Sequence, residues 1–125
     1  DKYFEAKRKL FYLLDASPKS EKTAVVNIDD SYGEVIKADC CKMNYNTVTF
    51  GFTENADVRI LEDSVKNKIT GLFYDFNDSG VNRFLNLKLA GKFQAHNSIA
   101  AYASAINAGL DAEKVCLEGF RYLIR

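Results

Sequence analysis

The stretch Ala24-Val25-Val26-Asn27-Ile28-Asp29-Asp30 decides the fold. A short, nearly continuous apolar run is what a strand covered on both faces requires, because neither set of side chains meets water. The run therefore reads as an inner strand. The Asx residues that end it have two readings: they shape the strand-to-helix turn, or they stand at the carboxyl end of a strand, where open α/β sheets bind ligands. Outward from it, residues 30–43 suit a helix with Val35 and Ile36 turned inward, and Thr47 to Phe52 alternates with Val48, Phe50 and Phe52 on one side. The connection between the two strands is long enough for a helical crossover, so a parallel pair is expected.

Further along, the character changes. Val58 and Ile60, then Leu72, Tyr74 and Phe76, then Leu85, Leu87 and Leu89 mark three alternating strands, expected to be antiparallel and buried on one face. Asn77-Asp78-Ser79-Gly80 is a turn between the last two. The tail returns to helix: Ala95, Ile99, Tyr102, Ala103 and Ile106 form a stripe ended by Gly109, and Asp111 caps a last helix carrying Val115, Phe120 and Leu123. The expected fold is α/β, a partial Rossmann-like parallel sheet with flanking helices plus a small antiparallel sheet.

Composition narrows the function classes. With 125 residues the chain is one domain's worth, and its 17 basic and 17 acidic residues balance. That balance argues against nucleic acid and against a polybasic membrane surface, both of which need a concentrated positive field. No run approaches the about eighteen apolar residues of a spanning helix. Cys40 and Cys41 are adjacent and Cys116 stands apart, a spacing that suits neither a zinc knuckle nor an ordinary disulfide, so a reducing, cytoplasmic setting is expected. The chain opens on Asp1 and enters a helix almost at once, which leads us to expect a longer parent.

That opening helix holds an unusual residue. At helical spacing Tyr3, Leu10 and Leu14 share a face with Phe4 and Phe11 beside them, and Lys7 sits where another hydrophobe is expected, while Arg8 and Lys9 point elsewhere. A cation aimed at a core snorkels, finds a partner, or is chemically changed. Elsewhere, His96 is the single histidine and reads as a helix-surface residue, since no second histidine or nucleophile accompanies it. Gly91-Lys92 lacks the Gly-x-x-x-x-Gly-Lys-Ser/Thr spacing that cradles phosphates.

Tyr3-Phe4-Glu5-Ala6-Lys7-Arg8-Lys9-Leu10-Phe11 resembles the helix that bears a carbamylated, metal-binding lysine in the Mur ligases, on the branch that adds a diamino acid. Three further pieces follow in that family's order: Val25-Val26-Asn27-Ile28-Asp29-Asp30, then Phe50-Gly51-Phe52 with Ala56-Asp57-Val58, then Gly91-Lys92-Phe93 with Asn97. The resemblance implies an ATP-dependent ligase of peptidoglycan synthesis. Its substrates would be UDP-N-acetylmuramoyl-L-alanyl-D-glutamate and meso-diaminopimelate or L-lysine, joined through an acyl phosphate. It makes Lys7 the catalytic, carbamylated Mg²⁺ ligand, because a carbamate offers a hard cation two oxygens where an ammonium repels it. Asn97 becomes the adenine contact. Gln94 takes the place of the family's first Asn, one methylene longer.

On this reading residues 1–125 are the C-terminal half of the central ATP-binding domain. The phosphate-loop half and the two outer domains are not in the sequence, so the chain alone is expected to be inactive and to self-associate through the surface where the other half packs. Two alternatives stay open: a folylpolyglutamate-type ligase sharing the lysine helix, and a stand-alone, non-catalytic binding module.

Overall fold

A computed structural model describes residues 2–16, 22–43, 45–69, 71–87 and 94–118; of Tyr3, Lys7, Leu14, Leu117 and Glu118 it describes the backbone alone. In chain order the elements are α1 (Lys2–Ala16), β1 (Thr23–Asn27), α2 (Ser31–Cys41), β2 (Asn46–Gly51), β3 (Val58–Ile60), β4 (Lys66–Lys68), β5 (Gly71–Asp78), β6 (Val81–Leu87), α3 (Gln94–Asn107) and α4 (Ala112–Glu118).

β1 and β2 run parallel with Val25 opposite Val48, and α2 crosses between them, as the apolar run and the connection length require. β2 and β3 are also parallel, although only residues 52–57 join them. They overlap by two residue pairs, Phe50 with Val58 and Gly51 with Arg59, so the chain climbs back only a short way before pairing. β3 then pairs antiparallel with β5, and β5 with β6. The expected parallel and antiparallel parts are thus one continuous six-stranded sheet, with β3 as the strand shared by both.

Because β4 and β3 both pair with β5 residues whose other edge holds β6, they lie end to end along one edge of β5. A 3₁₀ turn at Glu62–Ser64 breaks the line between them. β4, Lys66-Asn67-Lys68, is exposed throughout and has no apolar alternation, which is why the sequence pattern does not reveal it.

Two apolar layers flank the sheet. On one face Ala24, Val26 and Ile28 meet Ile36 and Cys40 of α2; on the other Phe50, Val58, Ile60, Leu72, Tyr74, Phe76, Leu85 and Leu87 meet Ala95, Ile99, Tyr102 and Ala103 of α3. Each fully buried large side chain in this layer contributes about 1.5–3 kcal/mol. Ser79 and Gly80 both take positive φ, 50° and 96°, the paired left-handed geometry of a two-residue hairpin turn. Gly109 ends α3 at φ 98°, and the Asp111 carboxylate accepts from the Glu113 amide at 3.2 Å to open α4.

Three expectations need correction. Val35 is exposed, because the inward face of α2 runs through Gly33, Ile36 and Cys40 and places Val35 off that line. Leu10 is 65% exposed, while Phe4 and Phe11 pack on the α2 side. Arg8 lies between those two phenylalanines, a full turn from each, and forks onto Asp39 of α2 through Nε at 2.8 Å and a terminal amino group at 3.2 Å. The third concerns β1: helices cover both of its faces, yet among the described residues it pairs only with β2 and is the edge strand. Leu89, Gly91, Lys92, Phe93, Phe120 and Leu123 lie outside the described residues.

Candidate functional site at the carboxyl ends of β1 and β2

The three Asx residues that end the first strand divide the work. Asn27 Oδ1 accepts from the Asp29 amide at 2.9 Å, an Asx turn that swings the chain off β1. Asp30 caps α2, its carboxylate accepting from the Gly33 amide at 2.8 Å. The helix starts this close to the strand because residue 33 is glycine: a Cβ there would lie 1.8 Å from the Asn27 carbonyl oxygen.

Asp29 is the hub. Its carboxylate accepts from the amides of Phe52 at 2.9 Å and Thr53 at 3.1 Å, and from the Thr53 hydroxyl at 2.7 Å. His96 Nε2 of α3 approaches the second carboxylate oxygen. Gly51 makes room for this approach; it holds φ 150°, and a Cβ there would sit 2.3 Å from Asp29 Oδ1. Partial burial opposes ionisation of Asp29, but the donors from His96, Phe52 and Thr53 outweigh it and hold the carboxyl below its ordinary range. Phe52 in turn meets the His96 ring edge to face at 5.0 Å, and Arg59 Nε of β3 donates to the Phe52 carbonyl at 3.3 Å.

His96 is therefore not a bare surface residue. It was hidden because its partner lies 67 residues away, and no local spacing announces such a pair. The Ala56-Asp57-Val58 turn has a similar explanation. The Asp57 carboxylate accepts from the Thr49 amide at 2.9 Å and hydroxyl at 3.1 Å, pinning the tight return from β2 to β3.

Gln94 and Asn97, three residues apart on α3, share one helix face. Gln94 is half-buried and Asn97 exposed. Asn97 follows His96 in the first turn of α3, the turn that His96 ties to the Asp29 hub. Each amide offers a donor and an acceptor, the pairing an adenine edge asks for. Lys7 lies on α1, and its side chain is outside the described residues. Among the described residues no three metal-ligating side chains gather, so they do not by themselves form a metal site.

Beside the hub, a cleft of about 300 Å³ wraps the open edge of β1. Val25 and Val26, from opposite faces of the strand, both line it, with Phe4 and Phe11 overhanging from α1 and Ala100 and Ser104 from α3. No helix among the described residues is long and apolar enough to cross a membrane.

The Mur ligase middle domain matches residues 1–105. UDP-N-acetylmuramoyl-L-alanyl-D-glutamate–2,6-diaminopimelate ligase 1 of Clostridium acetobutylicum is 30% identical over 92% of the chain. The ligase of the same name from Alkaliphilus metalliredigens is 30% identical over 88%. In both cases the chain spans about 21% of the relative's own length. Among solved structures, a UDP-N-acetylmuramoyl-L-alanyl-D-glutamate–2,6-diaminopimelate ligase superposes with a TM-score of 0.78 at 26% identity, over 91% of this chain and 23% of that one. MurF ligase from Thermotoga maritima, solved in complex with ADP, shares the fold with a TM-score of 0.61 at 17% identity, over 84% and 23% of the two chains.

Proposed function

From the premise that the chain belongs to the Mur ligase middle-domain family, we propose that it is the C-terminal half of the central ATP-binding domain of an acid–amino-acid ligase in peptidoglycan synthesis. The observation that carries this reading is the match over 92% of the chain to a ligase named for joining diaminopimelate to UDP-N-acetylmuramoyl-L-alanyl-D-glutamate. In the whole enzyme the D-glutamate carboxylate attacks the γ-phosphorus of ATP, ADP leaves, and the diamino acid's amine displaces phosphate from the acyl carbon to form the amide.

In this reading Gln94 and Asn97 hold the adenine edge, and the rigid Asp29 hub sets where α3 begins. Lys7, as its carbamate, would hold Mg²⁺, a role that rests on the resemblance of residues 3–11. The metal would supply charge neutralisation at the transferred phosphoryl group. The cleft along β1 is the seat of the next strand of the parent's sheet, because an edge strand with helices over both faces and an apolar open side is half of an interface. Cytoplasmic placement follows from the nucleotide substrates.

The experiment is turnover by the full-length parent. Phosphate release that requires ATP, UDP-N-acetylmuramoyl-L-alanyl-D-glutamate and diaminopimelate together, and that collapses in Lys7→Ala, is expected. The 125-residue chain alone is expected to release none. Release independent of the muramoyl dipeptide, or full turnover by the chain alone, would reject the reading.

A further inference from the structure

The geometry points to His96 as a positioning residue for the nucleotide, acting through Asp29; the inference rests on the nucleotide role proposed above for Gln94 and Asn97. α3 is held to the sheet on its inner side, where Ala95 and Ile99 are fully buried and the Ser98 hydroxyl meets the Tyr74 hydroxyl at 2.5 Å. That contact fixes the depth of the helix. It leaves the rotation and tilt of the first turn to be set from the side.

His96 supplies the lateral hold. Among the described residues, its bond to Asp29 is the hydrogen bond that joins the first turn of α3 to the carboxyl ends of β1 and β2. The acceptor is itself held, since the Phe52 and Thr53 donors occupy the carboxylate from the loop after β2. The edge-to-face contact with Phe52 fixes the plane of the imidazole. One carboxylate thus joins three segments, and the first turn of α3, which carries Gln94 and Asn97, takes its place from it.

Loss of this hold lets the first turn pivot about the Ala95–Ile99 contact and carries Gln94 and Asn97 off their positions. An adenine edge is remote from the phosphoryl group that reacts, so its binding is equal in the ground and transition states. The loss then appears in KM for ATP and not in kcat.

The test is steady-state kinetics on the full-length parent with His96→Ala, His96→Gln, Asp29→Asn and the Asp29→Asn/His96→Ala pair. His96→Ala is expected to raise KM for ATP about three- to tenfold, the scale of one partly exposed hydrogen bond to a charged group. Its kcat should stay within about twofold and its KM for the muramoyl dipeptide unchanged. His96→Gln, whose amide nitrogen can donate to the same carboxylate, should restore most of the ATP affinity. The two single effects should not multiply in the double variant. An unchanged KM for ATP in His96→Ala, or a His96→Gln variant no better than alanine, overturns the assignment and leaves the ligase reading intact. A wild-type parent with no ATP-dependent turnover overturns both.

Discussion

Asp29 is the residue on which the loops at this end of the sheet depend, and acid should expose that dependence. Its folded-state ionisation lies below the ordinary carboxylate range, against the opposing effect of partial burial. A depressed carboxyl contributes stability that is fully present above the unfolded value, about 4, and is lost as the pH falls through the folded one. At neutral pH Asp29→Asn should therefore be less stable by about 1 kcal/mol, after allowance for partial solvent access. The gap should close below about pH 4, where the wild-type carboxyl also takes a proton. Urea midpoints for both chains from pH 2.5 to pH 7 measure this, and a constant gap over that range would show that Asp29 acts by shape and not by charge.

The run from Asn27 to Asp30 announces its turn and cap in the sequence because those bonds span two or three residues. The carboxylate's bonds to Phe52, Thr53 and His96 span 23, 24 and 67 residues, and nothing in a linear pattern pairs them.

At the scale of elements, α1 is the least secured. Among the described residues its attachments include the Arg8–Asp39 fork, the Phe4–Tyr32 ring contact at 4.4 Å, the half-buried Phe11, the Tyr45 hydroxyl donating to the Phe11 carbonyl at 3.2 Å, and Lys22 Nζ donating to the Asp15 carbonyl at 2.9 Å. Leu10, Tyr12 and Leu13 remain half to two-thirds exposed. β5, by contrast, is hydrogen-bonded on both edges and buries Leu72, Tyr74 and Phe76 completely. Local opening follows such differences. Amide exchange at neutral pH should therefore protect Leu72–Phe76 at the level of global unfolding, and α1 at least about a hundredfold less. Equal protection of the two would mean that α1 belongs to the same cooperative unit.

The elements that were legible are those whose side chains repeat with a period: α3 with its glycine stop, β5 and β6 with their Ser-Gly turn, and the parallel pair β1 and β2. α1 was legible as a helix but its buried face was not. Two apolar stripes lie close together on it, and a bidentate arginine, read from sequence as pointing away, chose between them. β4 was invisible because only backbone bonds to β5 make it a strand.

At the scale of the whole molecule, the sheet has two different ends. The antiparallel end is built on hairpins to β5, with α3 and α4 packed against its buried face. Among the described residues the parallel end stops at β1, with an unpaired edge and an apolar cleft of about 300 Å³. An open strand edge flanked by hydrophobic side chains is a template for pairing. If the next strand of the parent normally fills it, the 125-residue chain by itself must leave it to water or to a second copy. Light scattering on the isolated chain should therefore give a mass that rises with concentration from that of a monomer of 14.1 kDa. Val25→Lys, which puts a charge on the cleft wall, should hold it at the monomer. A monomeric mass at millimolar concentration would mean that the edge is already protected, and the cleft would then lose its claim to be half of an interface. A rise that Val25→Lys leaves untouched would move the contact elsewhere, with the exposed Leu10 and Leu13 face of α1 next in line.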